Sequence, residues 1–389
     1  MKPAAQRTLV ISLLIAIGAF PDALVPIALK SAVVDRWGVS LADAHWFAAA
    51  ALLGALLSLP VLRPLARRWS AAKTIGAVSL ANALALFVLA SPVSFQAAMG
   101  LRVITGAMDM ITLAVLLGLL ERGDPSRVGH RYGPATFAIM LGLGCGFVIG
   151  GQLAAWMPEG VFYVGAVFSL LLAVAAGGSR GLLQGVSSKS ETPIVQSRYW
   201  PTLCFSFSDR ALSAVLTITA TLYLVDEMAV RPELVGGALG LALLTIAIGA
   251  WPAGVLADRI GPLPVRIVSV IGYASAFALL AVASWIPQWT VLVLLGTLGI
   301  FGAGLAPSMY MLAAQRQRGA VGMGGVQAAG SAGYLCGVLT AGMLLSLRET
   351  IALPGTFQIM FLGFATVYLL LNLLAVAGMA GWRSRRLAC

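Results

Sequence analysis

Twelve stretches of roughly 20 residues, each nearly free of charge, follow one another along this chain. They run over 8–29, 44–62, 74–91, 96–119, 134–156, 160–178, 200–224, 234–256, 265–284, 288–313, 320–346 and 355–380. An α-helix rises about 1.5 Å per residue, so each stretch is long enough to cross the ~30 Å hydrocarbon core of a bilayer. No soluble core hides this much apolar surface: 60% of the 389 residues are hydrophobic and 10% charged, against about 25% charged in soluble domains. The expected class is an all-α integral membrane protein with twelve transmembrane helices.

The net charge of +11 raises nucleic acid as a partner, but the basic residues sit at the ends of the apolar runs and not in one patch. With the N-terminus inside, the inner segments hold Lys2, Arg7, Arg63, Arg67, Arg68, Lys73, Arg122, Arg127, Arg131, Arg180, Lys189, Arg198, Arg259, Arg266, Arg316, Arg318, Arg383, Arg385 and Arg386. The outer segments hold Lys30, Arg36, Arg231 and Arg348. This is the positive-inside bias, and it predicts both termini in the cytoplasm, in a bacterial inner membrane. The first run carries Asp22 and Lys30 and lacks a clear small-residue cleavage site, so it reads as an uncleaved helix and not a signal peptide.

Catalytic chemistry is not expected. Cys145, Cys204, Cys336 and Cys389 are scattered, and His45 and His130 lack metal-ligand spacing, so neither a disulfide framework nor a metal is called for. There is no glycine-rich phosphate loop, which argues against ATP-driven pumping. No cofactor and no enzyme activity are expected.

The most specific stretch is Gly254-Val-Leu-Ala-Asp258-Arg259-Ile-Gly261-Pro-Leu-Pro-Val-Arg266, between the eighth and ninth runs. Gly254 and Gly261 allow close approach and a tight reversal, Asp258 is suited to a helix end, and Arg259 and Arg266 hold the loop inside. A worn counterpart, Leu62-Arg63-Pro64-Leu65-Ala66-Arg67-Arg68-Trp69-Ser70, lies between the second and third runs, with Arg67 in the acidic position. The pattern resembles the loop signature of the major facilitator superfamily of secondary transporters. That resemblance implies two pseudo-symmetric six-helix bundles, here 1–178 and 200–389, joined by a cytoplasmic linker at 179–199, with a substrate cavity between them. It also implies that the five residues of the signature serve a gating loop.

Ionisable groups inside a span cost roughly 2.5–3.5 kcal/mol on insertion scales and are functional candidates by default. Five stand out: Asp22, Arg102, Asp109, Asp209 and Arg210. Asp22 lies between Pro21 and Pro26, which interrupt the first helix; the bland alternative pairs it with Lys30 or Arg36. Arg102 and Asp109 are almost two turns apart on one face of the fourth helix, with Thr105 between them. Their segment resembles the family's helix-4 motif, in which an Arg followed by Gly (here Gly106) is associated with proton coupling. Asp209-Arg210, early in the seventh helix, loosely mirrors Asp22.

In the fifth helix Gly142, Gly146, Gly150 and Gly151 form a small-residue seam suited to helix packing. The segment resembles the family's antiporter motif, with Phe147 in place of its proline. The eleventh helix has a similar seam, and there Gln327, Ser331 and Tyr334 share one face and are expected to line a cavity; Asn82, Gln152 and Tyr310 are weaker candidates. The expected function is alternating-access transport of a small organic solute by a monomer, with protons as the coupling ion and the bilayer as the surrounding partner. Efflux of lipophilic or amphipathic compounds by antiport leads. The alternatives are proton-linked uptake of an organic anion, held by Arg102 or Arg210, and non-enzymatic lipid transport.

Overall fold

The computed structural model describes residues 3–39, 41–120, 129–183, 199–220, 223, 228, 232–285, 287–315, 319–351 and 355–386. Most of the predicted linker, 184–198, lies outside them, as do Lys2, Arg122, Arg127, Arg231, Arg316, Arg318 and Cys389. Among the described residues the regular structure is helical, without a strand.

The helices are α1 (Pro3–Leu29), α2 (Leu41–Leu57), α3 (Leu59–Arg68), α4 (Ala71–Ala90), α5 (Phe95–Leu120), α6 (Gly129–Trp156), α7 (Gly160–Gly178), α8 (Arg180–Leu183), α9 (Trp200–Ala214), α10 (Pro232–Ile260), α11 (Pro262–Ala278), α12 (Gln288–Gly302), α13 (Leu305–Ala314), α14 (Gly319–Ile351) and α15 (Thr356–Arg386). Helices α1 and α9 run on into π-helical turns at Lys30–Asp35 and Val215–Thr219, and α11 into a 3-10 stretch at Leu279–Trp285. Taken as continuous rods, with α2–α3 broken at Ser58 and α12–α13 at Ala303 and Gly304, they follow the apolar runs of the sequence. Nine stretches among the described residues are long and apolar enough to cross a bilayer.

The two signature loops are shorter than the sequence suggests. Residues Gly254 to Ile260 complete α10, and α11 starts at Pro262, so the reversal rests on Gly261 alone. Its φ of 92° is a left-handed conformation that costs glycine nothing, and Pro262 opens the next helix where its missing N–H is not needed. Asp258 and Arg259 therefore occupy the last turn of α10, not a free loop. Arg266 lies further into α11 and is fully buried. Likewise Leu62 to Arg68 are helical, within α3.

Helix pairing repeats along the chain. Contacts of α1 with α6, α2 with α5 and α4 with α7 recur six rods later as α9 with α14, α10 with α12 and α11 with α15. Glycines set the closest of these. Gly142, Gly146 and Gly150 of α6 face the carbonyls of Ala16, Phe20 and Leu24 of α1, and an added Cβ would stand 2.5, 2.6 and 2.8 Å from those oxygens. Gly151 follows them, half-buried. Gly333 and Gly337 of α14 abut the carbonyls of Phe207 and Ala211 of α9 in the same four-residue step. Gly54 against Val103, and Gly106 against Ala51, lock α2 to α5. With no hydrophobic drive between helices in lipid, such backbone approach supplies the packing attraction.

The two groups of helices meet tightly at one end. Leu62, Tyr132, Tyr310, Met323 and Val326 share one buried cluster, Leu62 lies against Gly324, and a Cβ on Gly133 would stand 3.0 Å from Trp251. The rings of Tyr132 and Tyr310 are 5.5 Å apart. At the other end the clusters are separate, one around Phe47 and Phe162 and one around Phe277 and Phe361. A single stripe of α1 records the difference: Ile11 and Ile15 are 1% and 0% exposed, whereas Asp22 and Pro26 are exposed. The cleft is closed on the Ile11 side and open on the Pro26 side.

Candidate functional site

The cleft collects most of the ionisable groups singled out in the spans. Asp22 is accessible from it although it stands at mid-helix, surrounded by protein. Its carboxyl is within hydrogen-bonding reach of Asp109 on α5. Asn82 of α4, 4% exposed, fixes Asp109 from behind. Its Nδ2 donates to Asp109 Oδ1 at 2.7 Å and to Ser169 Oγ of α7 at 3.2 Å. Four helices of the first half thus converge on one carboxyl pair. A hydrogen bond between two carboxyls needs a proton on one of them.

Two guanidiniums flank it. Arg102, 7% exposed, donates to Thr105 Oγ1 at 3.4 Å and lies 5.8 Å from the centre of the Phe47 ring. Both Asp22 and Asp109 are within its charge range. Arg210 comes from the other half, on α9, and also acts on Asp22. Among the described residues Arg210 has no hydrogen bond and no ion pair. Gly330 makes room for its stem: a Cβ there would stand 3.0 Å from Arg210 Cγ and 3.0 Å from Ser206 Oγ. Tyr310 and Tyr334 lie within electrostatic range of its charge.

The α14 face predicted to line a cavity is divided. Tyr334 bonds Thr217 Oγ1 at 2.8 Å, beside the π-helical turn of the α9 rod. Gln327 is 8% exposed, and its Nε2 donates to Tyr310 Oη at 2.9 Å. Ser331 lies half-buried between them. Tyr310 therefore touches Tyr132 at the closed end and Gln327 on the side of the cleft.

Asp209 belongs to a different structure. Both its oxygens are held by Arg266, at 2.6 and 2.7 Å, and Tyr368 Oη donates to Oδ1 at 3.0 Å. Arg266 also donates to Asn372 Oδ1 at 2.8 Å and to the Leu305 carbonyl at 3.2 Å, and its plane lies 4.5 Å from the Phe205 ring centre. Asn372 in turn donates to Ser208 Oγ at 3.0 Å. This is a closed bidentate pair inside the second half. Its place corresponds to that of Asp22, since each Asp follows by two residues a Phe whose carbonyl abuts a glycine, Gly146 for Phe20 and Gly333 for Phe207. Asp22 has a second carboxyl beside it, from α5, whereas Asp209 has a guanidinium, from α11.

Of the two bland partners suggested for Asp22, Arg36 is engaged elsewhere, and the side chain of Lys30 lies outside the description. Arg36 donates to the carbonyls of Leu89, Ala90 and Ser91 at 2.8, 3.1 and 2.7 Å, ending α4. Sequence reasoning missed Ser169, Tyr368 and Asn372; an Asn inside an apolar run, with Tyr one turn earlier, was the available signal for the last two.

The sequence profile of the Major Facilitator Superfamily matches residues 11–190 and 202–386. Among curated protein sequences none matches significantly. Solved structures with the same fold include the human organic anion transporter MFSD10 (TETRAN), with TM-score 0.75 and 16% identity over 96% of this chain and 100% of that one. A bacterial homologue of the iron transporter ferroportin, in an outward-facing state with soaked iron, gives TM-score 0.71 and 16% identity over 96% and 98%. The proton:xylose symporter XylE gives TM-score 0.70 and 12% identity over 95% and 94%. Profile, apolar spans and fold agree: this chain belongs to the Major Facilitator Superfamily and is a multi-pass membrane transporter, not an enzyme.

Proposed function

We propose that the chain is a proton-coupled transporter of a small organic anion, working as a monomer by alternating access. Two bundles, 1–178 and 200–389, move about the cleft, joined by a linker at 179–199. Both termini face the cytoplasm of a bacterial cell, so the open end of the cleft faces outward. The observation that carries the reading is the Asp22–Asp109 pair set between two guanidiniums.

With one proton on the acid pair, the four groups sum to one positive charge; with none they sum to zero. Protonation therefore favours an anion in the cleft, and an anion favours the proton. By linkage this coupling is reciprocal, and co-binding of proton and anion is the signature of symport. Arg210, free of partners among the described residues, is the group placed to take the anion, in a fork geometry suited to a carboxylate. Arg102 stays with the acid pair and tunes it.

Antiport of lipophilic compounds, the other reading, leans on the glycine seam of α6. That seam is occupied by the backbone of α1, so it supports helix packing more directly than exchange.

The test is proton flux into liposomes carrying the purified protein and a lumenal pH dye, with organic anions, cations and neutral solutes added in turn. An anion that draws protons in with it supports the reading. Asp22→Asn should abolish the proton movement and Arg210→Gln should weaken the anion's apparent affinity. Proton movement opposite to an entering cation would replace symport with antiport.

A further inference from the structure

On the outer flank of the second half, α14 and α15 follow each other in sequence yet leave an open slot between them. Its volume is about 500 Å³, and α9 forms its floor. Phe207 and Ala211 line the floor, Gly337 and Thr340 one wall, Gly363 and Tyr368 the other. Thr340, Ile359, Gly363 and Val367 are exposed along the mouth, on a face that a spanning protein turns to the bilayer. On α15 the lining runs from Thr356 to Leu371, or about 22 Å along the axis. That exceeds the ~15 Å of hydrocarbon that one leaflet contributes.

The other half shows that this corner is meant to be filled. There Phe20 stacks on Phe168 of α7, with ring centroids 3.9 Å apart and planes at 12°. Phe207 holds the place of Phe20, two residues before its Asp, with its carbonyl against a glycine. Among the described residues it has no ring partner, and it looks into the slot. The opposite wall offers Gly363, where an added Cβ would meet nothing within 4 Å.

The chemistry of the walls selects the occupant. Ser208 Oγ donates to the Phe205 carbonyl at 3.1 Å and accepts from Asn372. Tyr368 Oη is spent on Asp209. The deep polar groups are thus already paired, and the rest of the lining is almost wholly carbon. A ligand with a polar body would lose its hydration for nothing there. A flexible hydrocarbon chain loses nothing, and the bilayer presents such chains at the mouth.

We propose that this slot is a lipid site in which one acyl chain of a membrane phospholipid lies on α9 between α14 and α15, taking the place that the Phe20–Phe168 stack fills in the first half. The lipid comes from the leaflet on the side of Thr356. Because the chain would rest on Tyr368 and Ser208, its presence bears directly on the Asp209–Arg266 network.

The probe is a phosphatidylglycerol with a terminal diazirine on one acyl chain, in phosphatidylethanolamine–phosphatidylglycerol liposomes holding the full chain. After illumination, cross-links are mapped by peptide mass spectrometry. Cross-links on Phe207 and Ala211, at the floor of the slot, are expected. Gly363→Phe, which supplies the missing ring into open space, should remove them while leaving cross-links on the exposed face of α4 unchanged. Equal labelling of the floor in the variant, or no floor labelling in wild type, overturns the proposal. So does displacement of the floor label by a transported solute, which would make the slot part of the transport route. Since cross-linking needs no transport, failure here leaves the symport reading to its own test.

Discussion

Removing the charge of Asp209 should destabilise the protein without uncoupling it. Arg266 is fully buried, and Asp209 supplies two of its charged bonds, at 2.6 and 2.7 Å. In Asp209→Ala the guanidinium keeps Asn372 and the Leu305 carbonyl but loses its counter-charge, and Tyr368 Oη loses its acceptor. Breaking a buried pair from one side costs about 3–5 kcal/mol, because the remaining charge stays uncompensated. Replacing both members with apolar residues of similar volume removes that penalty and is often neutral or stabilising. Thermal unfolding in detergent, followed by tryptophan fluorescence, should therefore show Asp209→Ala melting lower on the order of 10 °C. The double variant Asp209→Leu/Arg266→Met should recover most of that loss. The same single variant, reconstituted, should still move protons with solute, in contrast to Asp22→Asn. An unchanged melting temperature in Asp209→Ala would refute the locked-pair account. Loss of proton movement in well-folded Asp209→Ala would refute the assignment of coupling to the first half alone.

Three other outcomes follow from geometry already described. Gly106→Ala places a methyl on the Ala51 carbonyl and should yield little monodisperse protein by size-exclusion chromatography, whereas Gly100→Ala, with open space around it, should behave as wild type. Arg36→Ala exposes three carbonyls at the end of α4 and should cost about 1–3 kcal/mol, read as a lowered melting temperature. Arg36→Lys should rescue only part, since an ammonium cannot span the three acceptors as a fork does. With the exposed Cys145 and Cys336 replaced by Ser, Pro26→Cys should react quickly with a membrane-impermeant maleimide from outside. Ile11→Cys should resist it from either side while the cleft stays closed at that end.

The sequence made the helices legible because length and apolarity decide the matter in lipid, and the rods follow the runs to within a few residues. Asp22, Arg102 and Asp109 were visible for a related reason: a charge inside a span is expensive enough to need a purpose. What stayed hidden was direction. Asp209 and Asp22 look alike in sequence, each near the start of a half, and only the partner distinguishes an acid locked to a guanidinium from one beside a second acid. Arg266 was read as a gating-loop charge and not as the partner of Asp209, because it sits at the edge of an apolar run, where a basic residue reads as an inner-loop charge; one turn of α11 carries it inward. Asn82 was only a weak candidate, since a neutral amide costs less to bury than a charge and therefore signals less. The short signature loops misled in the other direction, because glycine and charge read as irregular backbone, while here both complete helices.

The glycine seams distribute slack unevenly through the molecule. Where α6 meets α1 and α14 meets α9, main chain lies on main chain, so there is no side-chain rotamer to absorb a displacement. These pairs can only travel together, each as one stiff double rod. At the closed end the halves touch through one main-chain approach, Gly133 on Ala250 and Trp251, and through rings and aliphatic tips such as Tyr132, Tyr310 and Leu62, which can part and re-form. Wear, in the sense of tolerated sequence change, should accordingly collect on those tips, while the seams stay as fixed as the bearings of a hinge.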